Sequence, residues 1–365
     1  MSAPLAPDDV VATHAAAASM ERAPLVVLEP LVAFLAERGL TSADERELAV
    51  APLGEGHSNV TLLLRCADRE LVLRRPPRGP LPPSAHDVLR EARLLRALEP
   101  TAARVPRVLA VGDDPAVIGA PFYVMERVAG DVVTSSVPEA LDAPAQRRRI
   151  GEEFVDALVE VHAVDWRACG LEGFSTRPEG YLERQLRRFG GLWEHNRTRE
   201  IAAVQRVGAW LAEHLPRSPA PTIVHGDYRL GNVMLAPRPP ARVAAVFDWE
   251  MATIGDPLAD VGYLCALWVQ RDDPPLGMFE LSGATREEGF PTRAELVARY
   301  ELASGRAMTD IRWYRTLALW KAVVFMEGNY RRALAGSTDD PWLHGFGEGV
   351  VALAERAEQM ITGDG

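Results

Sequence analysis

The chain has 365 residues, of which 47% are hydrophobic and 25% charged, a balance that excludes collagen-like, low-complexity and disordered classes. That length accommodates about two lobes, each able to bury a core of its own. Forty Lys plus Arg against 51 Asp plus Glu leave a formal net charge of −11, a sign that runs against a non-specific grip on nucleic acid or an anionic membrane.

Residues 1–24 are rich in Ala, Pro and Asp and predict a loose arm; they lack the basic start and uninterrupted apolar run of a secretory signal. From Leu25, Leu28, Leu31, Val32 and Leu35 recur at helical spacing up to Gly39, a C-cap glycine. Three β-like runs follow, at 48–53, 60–66 and 70–74, joined by turns as in antiparallel hairpins. Five prolines between Pro76 and Pro83 break regular structure, and a helix is expected from Asp87 to Leu98. Runs at 107–112 and 121–128 complete a small β-rich N-lobe, assigned residues 25–129. The remainder, 130–365, reads as a larger α-rich C-lobe. Its helices are expected from Gln146 and at 180–188, 201–215, 294–303, 311–335 and 348–361, with β-like segments at 222–225 and 242–247. The predicted class is α+β, and no internal repeat is visible.

Cys66, Cys169 and Cys265 stand about a hundred residues apart without a CxxC pair, which argues against a disulfide framework or a structural zinc. The longest apolar stretches, such as 261–269, are too short to cross a bilayer. A soluble cytoplasmic protein is expected. Lys321 is the only lysine, every other base being Arg, a usage that fits a GC-rich genome.

The chemistry-bearing stretch is His225-Gly226-Asp227-Tyr228-Arg229-Leu230-Gly231-Asn232, directly after a β-like run; Asp248 follows the next such run in Val246-Phe247-Asp248-Trp249-Glu250. Phosphoryl transfer needs a carboxylate to orient and deprotonate the acceptor hydroxyl, and oxygen ligands to hold magnesium on nucleotide phosphates. Magnesium takes few protein oxygens, with phosphate and water completing its octahedron. Asn232 and Asp248 supply such a pair.

The HGDxxxxN loop and the following strand aspartate resemble the signature of the aminoglycoside phosphotransferase-like kinases, relatives of protein kinases. Val72-Leu73-Arg74-Arg75-Pro76, Pro121-Phe122-Tyr123-Val124-Met125-Glu126 and Gly255-Asp256-Pro257 are similar to strings in the branch that also occurs fused to acyl-CoA dehydrogenases. The resemblance runs from about Leu48 to Ala335. It implies a bilobal protein-kinase-like fold, ATP and Mg2+ as cofactors, a small-molecule acceptor and a functional link to acyl-CoA metabolism. It also implies Asp227 as catalytic base, Asn232 and Asp248 as metal ligands, and His225 as scaffold beneath the loop.

In the N-lobe, Gly54, Gly56, Ser58 and Asn59 resemble the nucleotide-covering loop, where glycine lets backbone approach phosphate. Arg74 stands where protein kinases place a strand lysine, with Glu91 as its partner; arginine keeps the charge but forks differently. Glu126 and Val128 fall at the hinge, where backbone groups would meet adenine. Asp256 and Asp260 resemble acids that tie the loop to the next helix, and equally suit a turn opener and a helix cap. His162, and likewise His57, His86 and His195, read as ordinary packed residues. Arg184, Gln185, Arg187, Arg188, Trp193 and Arg197 lie where the family places acceptor contacts. They suit an anionic group such as the phosphates of coenzyme A, or equally a solvated amphipathic face. Trp320, Lys321, Glu327, Asn329 and Tyr330 sit on a C-terminal helix that borders the acceptor in the family pattern.

The expected activity is transfer of the ATP γ-phosphoryl group to a hydroxyl, with a hydroxyacyl-CoA or hydroxy acid as acceptor. An aminoglycoside or amino-sugar kinase, and a non-catalytic nucleotide-binding module regulating a partner, are the alternatives.

Overall fold

The computed structural model describes residues 5–42, 48–54, 59–66, 69–79, 86–175, 177–275, 280–336 and 341–363. The chain divides into two compact units, one formed by 1–101 with 105–128, the other by 102–104 with 129–365.

The first unit opens with β1 (Val10–Val11), α1 (His14–Ala18), β2 (Val26–Val27) and α2 (Leu28–Ala36). The stretch expected to be a loose arm is thus ordered from within: β1 pairs in parallel with β2, and Thr13 caps α1. The physical reason is Asp9, buried and paired with Arg22 at 2.7 Å and with Arg78, a contact spanning 69 residues that composition does not encode.

β3 (Ala49–Pro52), β4 (Val60–Cys66), β5 (Arg69–Arg75), β6 (Val108–Gly112) and β7 (Phe122–Glu126) form one antiparallel sheet in the order β3-β4-β5-β7-β6. In the β4–β5 register Leu62 faces Leu73 and Leu64 faces Leu71. These alternate residues share one face and build a core with Leu31, Phe34 and Leu35 of α2. Val72 and Arg74 occupy the opposite face, which α3 (Val88–Leu98) covers, capped by Asp87 accepting from the Arg90 N–H at 2.9 Å. A short α4 (Pro115–Ile118) separates β6 from β7. Gly112 is required by packing: a Cβ there would sit 2.3 Å from the Phe122 ring.

The second unit contains β8 (Asp131–Val132), α5 (Pro144–His162), α6 (Tyr181–Asn196), α7 (Ala202–Glu213), β9 (Thr222–Val224), β10 (Val233–Leu235), β11 (Val243–Val246), β12 (Thr253–Gly255), α8 (Leu258–Leu267), α9 (Arg293–Ser304), α10 (Ile311–Leu334) and α11 (Phe346–Thr362). Its strands form two small antiparallel sheets, β11-β10-β8 and β12-β9. The long α10 is the central helix. Its buried Trp313 and Trp320 donate indole N–H bonds to the Leu211 and Val204 carbonyls of α7, both at 3.0 Å. Arg104 ties into this unit, meeting Glu153 and Glu160 of α5 at 2.6 and 2.7 Å. Among the described residues no helix is long and apolar enough to cross a membrane.

Candidate active site

β9 ends at Val224 and delivers His225, fully buried, into the start of the loop. Its Nε2–H donates to the Phe247 carbonyl at 2.8 Å, while its Nδ1 accepts from the Asp227 N–H at 3.2 Å. The ring is therefore a brace between the ends of β9 and β11, as its scaffold reading implied. The Asp260 carboxylate, in the first turn of α8, accepts from the backbone N–H of His225 at 2.6 Å and of Gly226 at 2.8 Å. Gly226 adopts φ +86°, and a Cβ there would lie 2.9 Å from the Met251 carbonyl oxygen; only glycine follows this path without strain.

The loop so hung presents Asp227 with both carboxylate oxygens engaged. Oδ1 accepts from the Tyr263 hydroxyl at 2.6 Å, and Oδ2 accepts from Asn232 Nδ2 at 2.8 Å. The same amide also donates to the Asp227 carbonyl at 2.9 Å, which leaves Oδ1 of Asn232 as its remaining acceptor. Arg229 Nε stands 3.5 Å from Asp227 Oδ2. The Phe247 N–H donates to the Asn232 carbonyl at 2.8 Å, so Asn232 is bonded to the residue that precedes Asp248. Asp248 itself is held at φ 65° and ψ 57°, left-handed space that a non-glycine residue enters at a cost of about 1 kcal/mol or more. Such strain clusters at functional positions.

Electrostatics fix the protonation of the surroundings. Burial, then the neighbouring Asp227, pushes the Tyr263 phenol well above its ordinary value, so it remains a donor to Asp227. Burial holds the His162 imidazole below the usual histidine range, and its Nε2 lies 3.2 Å from Asp260. Burial pushes the Asp260 carboxyl up, but His162 and the loop N–H groups outweigh it and hold Asp260 below the usual carboxylate range. Asp256 plays the turn role, accepting from the Leu258 N–H at 2.9 Å and from the Tyr314 hydroxyl at 2.8 Å. Of the two acids, one opens the turn and the other suspends the loop.

A small cleft beside Gly226 and Tyr263 is also lined by Tyr181, Tyr314 and Lys321. Lys321 Nζ lies 4.8 Å from the Phe189 ring centroid. Glu327 is buried and pins the chain after α6, accepting from the Thr198 N–H and hydroxyl at 2.7 Å each. In α6, Arg184 bonds to the carbonyls of Arg177 and Glu179, and Arg197, just past its end, pairs with Glu194 and Glu200; these two arginines are locally engaged.

In the first unit, Arg74 Nε and Glu91 Oε2 meet at 3.1 Å, with side chains 11% and 2% exposed. Asn59 is buried and its Oδ1 lies 3.2 Å from His86 Nδ1; Gly54 has φ +79°. Gly56 and Ser58 lie outside the described residues. Glu126 exchanges two bonds with Arg107: its N–H donates to the Arg107 carbonyl, and its Oε1 accepts the Arg107 N–H, both at 3.0 Å. Val128 is the last residue of this unit.

Sequence reasoning missed Tyr263. Its signal was spacing alone: it follows Asp260 by three residues, and the i, i+3 relation of a helix puts both near one edge.

The Phosphotransferase enzyme family (APH) matches residues 49–309. The chain belongs to this family. Over 313 residues it is 36% identical to acyl-CoA dehydrogenase family member 10 of Mus musculus, an alignment covering 85% of this chain but 29% of that protein. The chain therefore spans less than a third of this curated relative. A solved aminoglycoside-phosphotransferase-like chain from Ralstonia eutropha superposes with a TM-score of 0.76 at 30% identity, covering 92% of this chain and 98% of the other. The streptomycin–ATP complex of an APH(2'') enzyme, at 16% identity and TM-score 0.53 over 91% and 97% of the two chains, shares the fold. The protein is a kinase-like phosphotransferase of α+β, protein-kinase-like fold.

Proposed function

We propose that this phosphotransferase moves the γ-phosphoryl group of ATP to the hydroxyl of a small molecule in a magnesium-dependent reaction. The observation that carries the reading is the Asp227 carboxylate, fixed through both oxygens by Tyr263 and Asn232 on a loop hung from buried Asp260. A general base must be held within hydrogen-bond reach of the proton it takes. Asp227 orients the acceptor hydroxyl and receives its proton as the oxygen attacks the γ-phosphorus and ADP departs. Nucleotide use is supported by the ATP complex of the structural relative.

The residues present fit a magnesium ion. The Asn232 amide, oriented by Asp227, offers one oxygen, and Asp248 offers a carboxylate. Among the described residues no cluster of three or more His, Cys, Asp or Glu forms a metal cage, so phosphate and water oxygens would complete the shell, as magnesium prefers. Bound there, the ion would neutralise charge on the transferring phosphoryl group. Arg74, held by Glu91, supplies the phosphate contact of the first unit, with Gly54 and Asn59 on the covering turn and Glu126 and Val128 toward adenine. Hydroxyacyl-CoAs and hydroxy acids are the proposed acceptor class, a choice that rests on the resemblance to the branch fused to acyl-CoA dehydrogenases. The Mus musculus relative extends far beyond the matched segment, so a regulatory partnership with such an enzyme is a separate question.

Magnesium-dependent ADP release, measured across hydroxyacyl-CoAs, hydroxy acids, aminoglycosides and choline, tests the reading. One class should stimulate release, and Asp227→Asn should reduce kcat by about 10²- to 10⁴-fold with nucleotide affinity retained. Unchanged turnover in Asp227→Asn would overturn the base assignment.

A further inference from the structure

A second charged cleft lies among α8, α9, α10 and α11, with Ala266 and Leu319 among its apolar lining. Three guanidinium groups line it, from Arg293, Arg315 and Arg356, against the single carboxylate of Asp273. That carboxylate is already engaged through both oxygens. Arg293 forks onto it, NH1 to Oδ2 at 2.8 Å and NH2 to Oδ1 at 2.5 Å, and the Gln270 N–H adds a bond at 2.7 Å.

Among the described residues neither Arg315 nor Arg356 forms an ion pair, although the Asp273 carboxylate is close enough to act on Arg315. Arg315 Nε is shielded from solvent and has no hydrogen-bond partner among the described residues. Burial, then Arg293 and Arg356, press its guanidinium below the usual arginine value. The polar contact of Arg356 is a long one, NH1 to Gln359 Oε1 at 3.4 Å. Two like charges confined in a partly desolvated cleft repel each other unless an anion stands between them. None of the lining residues hydrogen-bonds to Asp227, Asn232 or Asp248, so the transfer site does not explain the arrangement.

We propose that this cleft binds a phosphate-type oxyanion, with Arg315 and Arg356 as its ligands and Arg293, held in place by Asp273, at its rim. Charge selects the class. A phosphate group carries about −1.5 to −2 at neutral pH, matching the two unpaired guanidinium groups, whereas a carboxylate matches one. Geometry agrees, because forks projecting from two different helices suit a tetrahedral group better than a planar one. The source is either free phosphate or the phosphoryl group of a phosphate monoester.

The test is calorimetric titration and thermal unfolding of the full chain, without nucleotide or magnesium, in sodium phosphate against sodium chloride of equal ionic strength. At tenfold excess over Kd, phosphate should raise the melting temperature by about 2 °C. Arg356→Gln and Arg315→Gln should each weaken phosphate binding at least tenfold, while Arg74→Gln leaves it unchanged. Arg315→Met, which removes the uncompensated charge but keeps the side-chain bulk, should fold and lose the response. Glycerol 2-phosphate run in parallel identifies the source: tighter binding than inorganic phosphate means a monoester, weaker binding means the free ion. A phosphate response no larger than that of chloride, or one abolished by Arg74→Gln and untouched by Arg356→Gln, overturns the proposal.

Discussion

The Tyr263 hydroxyl donates to Asp227 Oδ1 at 2.6 Å, joining the first turns of α8 to a loop 36 residues upstream. Together with Asn232 on the other oxygen, it fixes the plane of the carboxylate. The Asp227 carboxylate is thereby positioned by one neighbour from its own loop and one from a separate helix.

Replacing that phenol isolates its contribution. Tyr263→Phe keeps the ring and removes the donor, so it should cost about 1 kcal/mol of stability and lower kcat about tenfold as Asp227 gains rotational freedom. KM for nucleotide should not move. Steady-state kinetics separate the two parameters, and a rise in nucleotide KM with unchanged kcat would refute a positioning role.

Acid should loosen the loop before it unfolds the rest. His162 is kept neutral by burial, below its ordinary value of 6.5, so unfolding lets it take up a proton that the folded chain refuses. Stability is therefore present in full above about pH 6.5 and declines as the pH drops. Further down, protonation of Asp260, held below 3.8 in the fold, removes the acceptor for the His225 and Gly226 N–H groups. Melting temperature measured from pH 7.5 to pH 5 should fall, and the fall should be shallower in His162→Gln. Asp260→Asn should lose about 3 kcal/mol at pH 7, because it strips charge from a buried hydrogen-bonded group.

In the first unit, Glu91 is the structural half of its ion pair. Glu91→Ala leaves the largely buried Arg74 without this carboxylate and should destabilise the protein by about 3 kcal/mol, read by chemical denaturation. Glu91→Gln should recover part of this loss. Arg74→Lys should leave the fold intact while raising KM for nucleotide, since the two cations differ in reach and fork geometry.

Lys321 offers a pH readout of the cleft beside the loop. Burial lowers its ammonium from 10.5 to about 8, with Asp260, Arg188 and Asp227 as the nearby charges. Because the folded value is depressed, the ammonium destabilises the fold below pH 8, and stability recovers as the pH climbs from 8 toward 10.5. Amine acylation followed by peptide mass analysis should give a midpoint near 8 for this side chain, and Lys321→Met should melt higher than the wild type at pH 7. A midpoint at 10 or above would show the amine to be fully hydrated.

Much of this was legible in the chain because it is local. The β4 and β5 strands announce themselves as short apolar runs bounded by turns, and the HGDxxxxN loop by side chains five residues apart. The residues that escaped notice act over distance. Asp9 is held by Arg78, 69 residues on, and Tyr263 reaches Asp227 only because α8 packs against the loop. The short strands β8, β10 and β12 carry two or three residues each, too few for a period to register. Asp256 and Asp260 show the limit most plainly: in sequence both suit a loop tie, or else a turn opener and a helix cap, and tertiary contacts make Asp256 the turn opener and Asp260 the loop tie.

The suspension of His225 and Gly226 from Asp260 also sets an order of events. Their amide protons are sealed by a carboxylate 35 and 34 residues downstream, so the bonds within residues 225–247 hold the loop without this anchor until α8 has been synthesised and docked. Such long-range closure belongs to the late steps of folding. Once made, it couples the exchange of those two amides with solvent to the opening of α8 itself, and the turn that carries Asp227 inherits the lifetime of a buried helix.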